Sequence, residues 1–210
     1  MIHTLENYLR NKINGKLPGA SAHAQMTNDL RMREMLQKKK VPRKAGVLLL
    51  IYQHKESLYI PMILRPVYEG VHSGQMAFPG GRFEDKDKDL IDTALRETHE
   101  EVGVKIEREN VIGTLTDLYI PPSNTTVTPV IGLATRQPSF TPDPREVAEI
   151  HKFSIKDFTH QNNRKEVSIN INSNYKIKTP GFVINEKIIW GASAMMMNEL
   201  LQLLTDFPID

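Results

Sequence analysis

The chain has no cysteine among its 210 residues. That absence excludes disulfide bonds, a thiol nucleophile and a cysteine-ligated zinc site. It also lacks a dominant charge: 27 lysines and arginines stand against 25 acids, for a net charge of +2. So even a balance gives no electrostatic reason to expect nucleic acid or an anionic membrane as a partner. Long apolar runs are missing as well. The longest, around Val47 to Tyr52 and Ile188 to Met197, fall short of the roughly 20 residues needed to span a bilayer. The opening MIHTLENYLRNKINGK is amphipathic and polar, without the apolar core of a signal peptide. What remains is 40% hydrophobic with a mean hydropathy of -0.38. That is the composition of a soluble globular protein, and a cytoplasmic one is expected.

A chain of this length buries one good core, and its pattern divides into a helical extension over 1–44 and a main domain over 45–210. Ile2, Leu5, Tyr8 and Leu9 repeat at helical spacing until Gly15 and Pro18. A second helix is expected from Thr27 or Asn28 to Lys38, then a solvated linker at Lys38-Lys39-Lys40. Strands are expected over Gly46–Gln53, Leu58–Leu64, Gln75–Phe78, Val111–Tyr119 and Val127–Ala134. Further strands are expected over Glu146–Phe153, Val167–Ile171 and Gly181–Val183, with a closing helix from Gly191 to Leu204. The pattern implies an α/β (α+β) fold, a mixed β-sheet flanked by helices.

The most informative stretch runs from Gly80 to Val104, GGRFEDKDKDLIDTALRETHEEVGV. At about 100° per residue, Glu97, Glu100 and Glu101 fall within an arc of roughly 100° on one helix. Leu90, Ile91, Ala94, Leu95, Thr98 and Val102 make a separate, mostly apolar arc. Like charges at this spacing repel, and acids in the last turn oppose the helix dipole. A divalent cation would repair the arrangement, and hard oxygen donors suit Mg²⁺ or Mn²⁺. A solvated acidic face is the plainer alternative. Just upstream, Phe78-Pro79-Gly80-Gly81 reads as a strand end turned by two glycines. Such glycines let a phosphate–metal unit approach the backbone.

Together these residues resemble the Nudix box. Gly81 opens it, and Arg96, Glu97, Glu100, Glu101, Gly103 and Val104 fill its second half. Thr98 stands where an apolar residue is usual, and Asp87 replaces the first-half glutamate with one extra residue before Arg96. That variation is shared by the coenzyme A pyrophosphatases, which the chain resembles over nearly its whole length. Arg65, Gly74 and Phe78 to Gly81 match the motif of that subgroup, while Gly70 replaces its second arginine.

The resemblance implies the Nudix fold and hydrolysis of a nucleoside diphosphate linked to another moiety. Coenzyme A leads as substrate, with ADP-ribose as runner-up and a non-catalytic nucleotide sensor as the alternative of another class. It implies Mg²⁺ or Mn²⁺ held by Glu97 and Glu101, with Glu100 a ligand or the base and the Gly81 carbonyl a further donor. Arg96 would orient a box glutamate, and Glu146 or Glu149 on a distal segment could supply the base. Arg65, Gly80 and Phe78 are the expected substrate contacts. The only partner expected is a small nucleotide, and homodimer formation is left open. Among the remaining residues, His99 is expected at the surface, the methionines and Trp190 in the core, and Ser193 as a helix cap.

Overall fold

Leu48, Leu49, Leu50 and Ile51 are consecutive and all completely buried, so the strand that carries them is covered on both faces. The computed structural model describes residues 1–36, 41–70, 72–172 and 175–209. Three helices lead in: α1 (Ile2–Ile13), α2 (Gly19–Ala24) and α3 (Asp29–Leu36). The buried strand is β1 (Arg43–His54), followed by β2 (Ser57–Leu64), β3 (Met76–Ala77) and β4 (Gly80–Arg82). The acidic helix is α4 (Leu90–Val102). After it come β5 (Val111–Thr114), β6 (Leu118–Ile120), β7 (Thr125–Ala134) and β8 (Glu149–Ser154), then α5 (Ile155–Thr159). A separate antiparallel sheet of β9 (Arg164–Asn172), β10 (Tyr175–Ile184) and β11 (Lys187–Trp190) precedes α6 (Gly191–Leu203).

β1 is the hub of the eight-stranded main sheet. It runs parallel to β7 from Arg43↔Thr125 to Tyr52↔Ala134, and antiparallel to β2 and β4. Alternation along β1 sends Leu48 and Leu50 to one face, where they pack with Ala94 and Val102 of α4. Leu49 and Ile51 go to the other, with Leu5 and Leu9 of α1 and Met195, Met197 and Leu200 of α6. The result is the expected mixed sheet between helices. Burying each of these side chains is worth about 2 kcal/mol, so the two apolar layers carry most of the drive to this architecture. Among the described residues no helix is long and apolar enough to cross a membrane.

Several sequence expectations need correction, each for a tertiary reason. α2 was not anticipated, since its Gly-Ala-Ser run has no apolar period. It is held from outside: Glu199, fully buried on α6, accepts from Gly19 N at 3.1 Å and pairs with His23 Nε2 at 2.7 Å. The same carboxylate accepts from Thr116 N and Oγ1 at 3.2 and 2.7 Å, which divides the expected Val111–Tyr119 strand into β5 and β6. The expected Glu146 strand starts only at Glu149, because Asp143 to Glu146 make a turn closed by Glu146 N to Asp143 O at 3.1 Å. Ser193 is no cap; its hydroxyl donates to Met76 O at 3.0 Å. Trp190 is only half-buried, on a cleft wall. The second helix is described to Leu36, and its expected end at Lys38 and the Lys38-Lys39-Lys40 linker lie outside the described residues.

Candidate metal centre and substrate cleft

The acidic helix is fixed at both ends by its own residues. Asp89 caps the N-terminus by accepting from Ile91 N and Asp92 N at 3.0 and 2.9 Å, a contact worth about 1 kcal/mol. Gly103 ends it in the left-handed region at φ 71, with its N–H bonded to His99 O. Gly46 of β1 lets α4 come close, since a Cβ there would lie 2.2 Å from Leu90 O. Thr98 is fully buried with its hydroxyl returned to Ala94 O at 2.7 Å. It therefore packs as an apolar residue would.

On the adjoining edge, Gly80 and Gly81 are not the expected turn. They run as β4, paired Val47↔Gly80 and Gly46↔Gly81. Gly80 is required by close approach of backbone, and Gly81 leaves room for the Glu97 carboxylate. A Cβ on Gly80, at φ 149, would meet Gly46 O at 2.4 Å, and one on Gly81 would meet the Glu97 carboxyl carbon at 2.3 Å. Gly80 N donates to Glu101 Oε2 at 2.8 Å.

The third carboxylate comes from far along the chain. Thr141 N and Asp143 N donate to Val102 O and Glu101 O, both at 2.9 Å, and Ala148 N donates to Leu64 O at 2.9 Å. These bonds, with buried Val147, stitch the Glu146 segment to the end of α4 and to β2. Glu97, Glu101 and Glu146 then offer oxygens that all lie within 4.8 Å of one another. Burial raises the Glu97 carboxyl, partly offset by Arg96. It pushes Glu101 up to about 7, against the Gly80 N–H and Arg65 and with the help of Glu97 and Glu146. Three acids at this spacing are held against their mutual repulsion, and the hard-oxygen set fits a divalent cation such as Mg²⁺ or Mn²⁺.

Arg96 is the organiser of the acidic face. Its Nη1 donates to Glu97 Oε1 at 2.8 Å and to Glu100 Oε2 at 2.9 Å, and its Nη2 to Arg82 O at 3.0 Å. Asp87 holds its other edge and is itself bonded by Thr93 Oγ1 and Glu84 N. The Arg96 bonds keep the Asp87 carboxyl well below the usual range despite burial. Glu100 is turned to Arg96 and to Lys86 Nζ at 3.6 Å, outside the group formed by Glu97, Glu101 and Glu146. Glu149 is likewise engaged elsewhere, by His151 and Lys187. His99 is exposed, as expected.

A cleft of about 920 Å³ opens at Gly80 and Gly81, with Arg65, buried Phe78 and Trp190 among its walls. Arg65 forms no salt bridge with Glu69 or any other acid among the described residues. Arg43 and Arg82 also line the cleft. Sequence reading passed over both, although Arg43, Ala45 and Val47 alternate onto one face of β1.

The NUDIX domain profile matches residues 42–171. The chain belongs to the Nudix hydrolase family. It is 32% identical over 136 residues to the mitochondrial coenzyme A diphosphatase NUDT8 of Homo sapiens, covering 64% of this chain and 58% of that one. It is also 32% identical over 138 residues to the uncharacterized Nudix hydrolase NudL of Pectobacterium atrosepticum, covering 65% and 70%. The match to the human relative thus spans less than two thirds of that protein's length. The Nudix fold itself recurs in a MutT/nudix family protein from Enterococcus faecalis, with a TM-score of 0.58, 16% identity, and coverage of 84% of this chain and 67% of that one.

Proposed function

We propose that this Nudix protein is a divalent-metal-dependent pyrophosphohydrolase acting on a nucleoside diphosphate linked to another moiety. Coenzyme A or its derivatives are the leading substrates, cleaved to 3′,5′-ADP and 4′-phosphopantetheine. The observation that carries this reading is the meeting of Glu97, Glu101 and Glu146 beside Gly80 and Gly81, at the edge of a cleft lined by arginines. The name of the human relative supports the coenzyme A assignment.

In this reading Glu97 and Glu101 hold Mg²⁺ or Mn²⁺, with the Gly81 carbonyl as a further donor. The bound ion supplies charge neutralisation for the pyrophosphate and a lowered pKa for the attacking water. Arg96 fixes the rotamer of Glu97 through its 2.8 Å bond. Glu146 is exposed and reaches the same point, so it serves as ligand or takes the proton from water. Glu100 stays in reserve for either role, because its present partners are Arg96 and Lys86. Water adds to one phosphorus, the bridging oxygen leaves with the other, and two phosphomonoesters result. Arg65, Gly80 and Phe78, which line the cleft, are the proposed substrate contacts.

ADP-ribose remains the second reading because Gly70 stands where the coenzyme A motif has an arginine. The test is a panel of coenzyme A, ADP-ribose, diadenosine polyphosphates and nucleoside triphosphates with Mg²⁺ or Mn²⁺, with products separated by chromatography. Coenzyme A should give 3′,5′-ADP. Faster turnover of ADP-ribose would overturn the substrate assignment, and no turnover of any member would favour a nucleotide sensor.

A further inference from the structure

The cleft is far more one-sided in charge than the chain. Its described lining carries Arg43, Arg65 and Arg82 and not one aspartate or glutamate, in a protein with 27 basic and 25 acidic residues. Arg65 is the arginine assigned above as a substrate contact, which leaves Arg43 and Arg82 without a role.

Arg43 and Arg82 share one wall. Arg82 is the register partner of Ala45, and Phe83 N continues the ladder to Lys44 O at 3.0 Å. Arg43 lies two residues from Ala45 on the same face, so the two arginines are diagonal neighbours about 7–8 Å apart along the sheet and somewhat closer at Cβ, within reach of long side chains. No hydrogen-bond or ion-pair partner engages the Arg82 guanidinium among the described residues. Arg43 gives one N–H to Ser123 O at 2.8 Å and keeps the rest of its fork. Two guanidiniums on one wall with no acid between them repel each other unless an anion joins them. Arg82 follows Gly81 directly, and Arg43 lies three residues from Gly46, the partner of Gly81. At about 3.3 Å per residue the pair spans roughly 3–10 Å from the pyrophosphate end. That is the range reached by a phosphate on the ribose of the same nucleotide.

We propose that Arg43 and Arg82 form a subsite for a second phosphate group, a monoester on the nucleoside, and so replace the arginine that Gly70 lacks. The proposal rests on the nucleotide-substrate reading above and deepens it. The subsite selects ligands with a ribose phosphate over those without one, through bidentate guanidinium–phosphate bonds.

Binding of adenosine 3′,5′-bisphosphate and of AMP, measured by calorimetry without hydrolysis, tests it. Wild-type protein should prefer the bisphosphate by about tenfold, and Arg43→Gln and Arg82→Gln should each bring the two affinities nearly together. Arg82→Lys should recover part of the preference, which a merely structural role would not produce. Melting temperatures verify that each variant is folded. The wild-type comparison alone is decisive in one direction: equal affinity for the two nucleotides overturns the subsite. So does a preference that survives both Gln variants. Failure of the coenzyme A reading shows separately, as faster turnover of ADP-ribose in the substrate panel.

Discussion

Asp87 grips Arg96 with two parallel hydrogen bonds, Nε to Oδ1 at 2.8 Å and Nη2 to Oδ2 at 2.9 Å. The first-half carboxylate of the box is thus shorter by a methylene and displaced by a residue, and still meets the arginine's fork. Asp87 and Arg96 side chains are 3% and 14% exposed. Removing one partner of such a pair leaves the other desolvated and uncompensated. Asp87→Asn should therefore lower stability by about 3 kcal/mol, read as a fall in melting temperature. Turnover should drop as well, because Arg96 also sets Glu97. An unchanged melting temperature would mean that the fork contributes nothing to the folded state.

Gly81 offers a substitution that separates site from fold. An added methyl would sit 2.3 Å from the Glu97 carboxyl carbon and 2.4–2.5 Å from its oxygens. The obstacle is the end of a flexible side chain, so Glu97 can swing away at small cost to stability. Gly81→Ala should keep the melting temperature of the metal-free protein within a few degrees while weakening Mg²⁺ or Mn²⁺ binding at least tenfold. Calorimetric titration with either ion checks this, and wild-type affinity in the variant would contradict the assignment of Glu97.

The protonation of Glu101 sets a pH dependence with a defined sign. Its carboxyl is raised from 4.5 to about 7 by burial, so the folded state favours the protonated form. The stability this contributes is fully present below about 4.5 and lost as pH rises through about 7. Metal binding needs the carboxylate. Mg²⁺ affinity should therefore climb between pH 5 and pH 7 and level off above, with proton release measurable by titration in buffers of different ionisation enthalpy. Affinity independent of pH across that window would remove Glu101 from the site.

Metal should also stabilise the fold. An ion bound only by the native state adds about 2.7 kcal/mol at a concentration one hundred times its dissociation constant. Melting scans at rising Mn²⁺ should show a progressive upward shift, absent in Glu97→Gln.

What could be read in advance follows from how local each feature is. The face of Glu97, Glu100 and Glu101 was legible because helical periodicity is set within a few residues. The buried run at Leu48 to Ile51 was legible for the same reason. Sequence left Glu146 a candidate without location, since only the bonds from Asp143 N to Glu101 O and Ala148 N to Leu64 O bring it to the site. Helix α2 and the break before β6 were hidden because both are dictated by one distant carboxylate, Glu199. Gly80 and Gly81 were identified as necessary glycines for the wrong geometry. Their small size serves packing against Val47 and Glu97, in a strand.

Glu97, Glu101 and Glu146 should act together in turnover. Turnover of coenzyme A with saturating Mg²⁺ should be measured for Glu97→Gln, Glu101→Gln and Glu146→Gln beside wild type and Glu100→Gln. The first two should lose activity by orders of magnitude, and Glu146→Gln by at least tenfold. Glu100→Gln, removed from the cluster, should fall least. Melting temperatures without metal should hold or rise in Glu97→Gln and Glu101→Gln, since each relieves repulsion among crowded acids. Near wild-type turnover in either Glu97→Gln or Glu101→Gln, with the fold intact, would contradict the central claim.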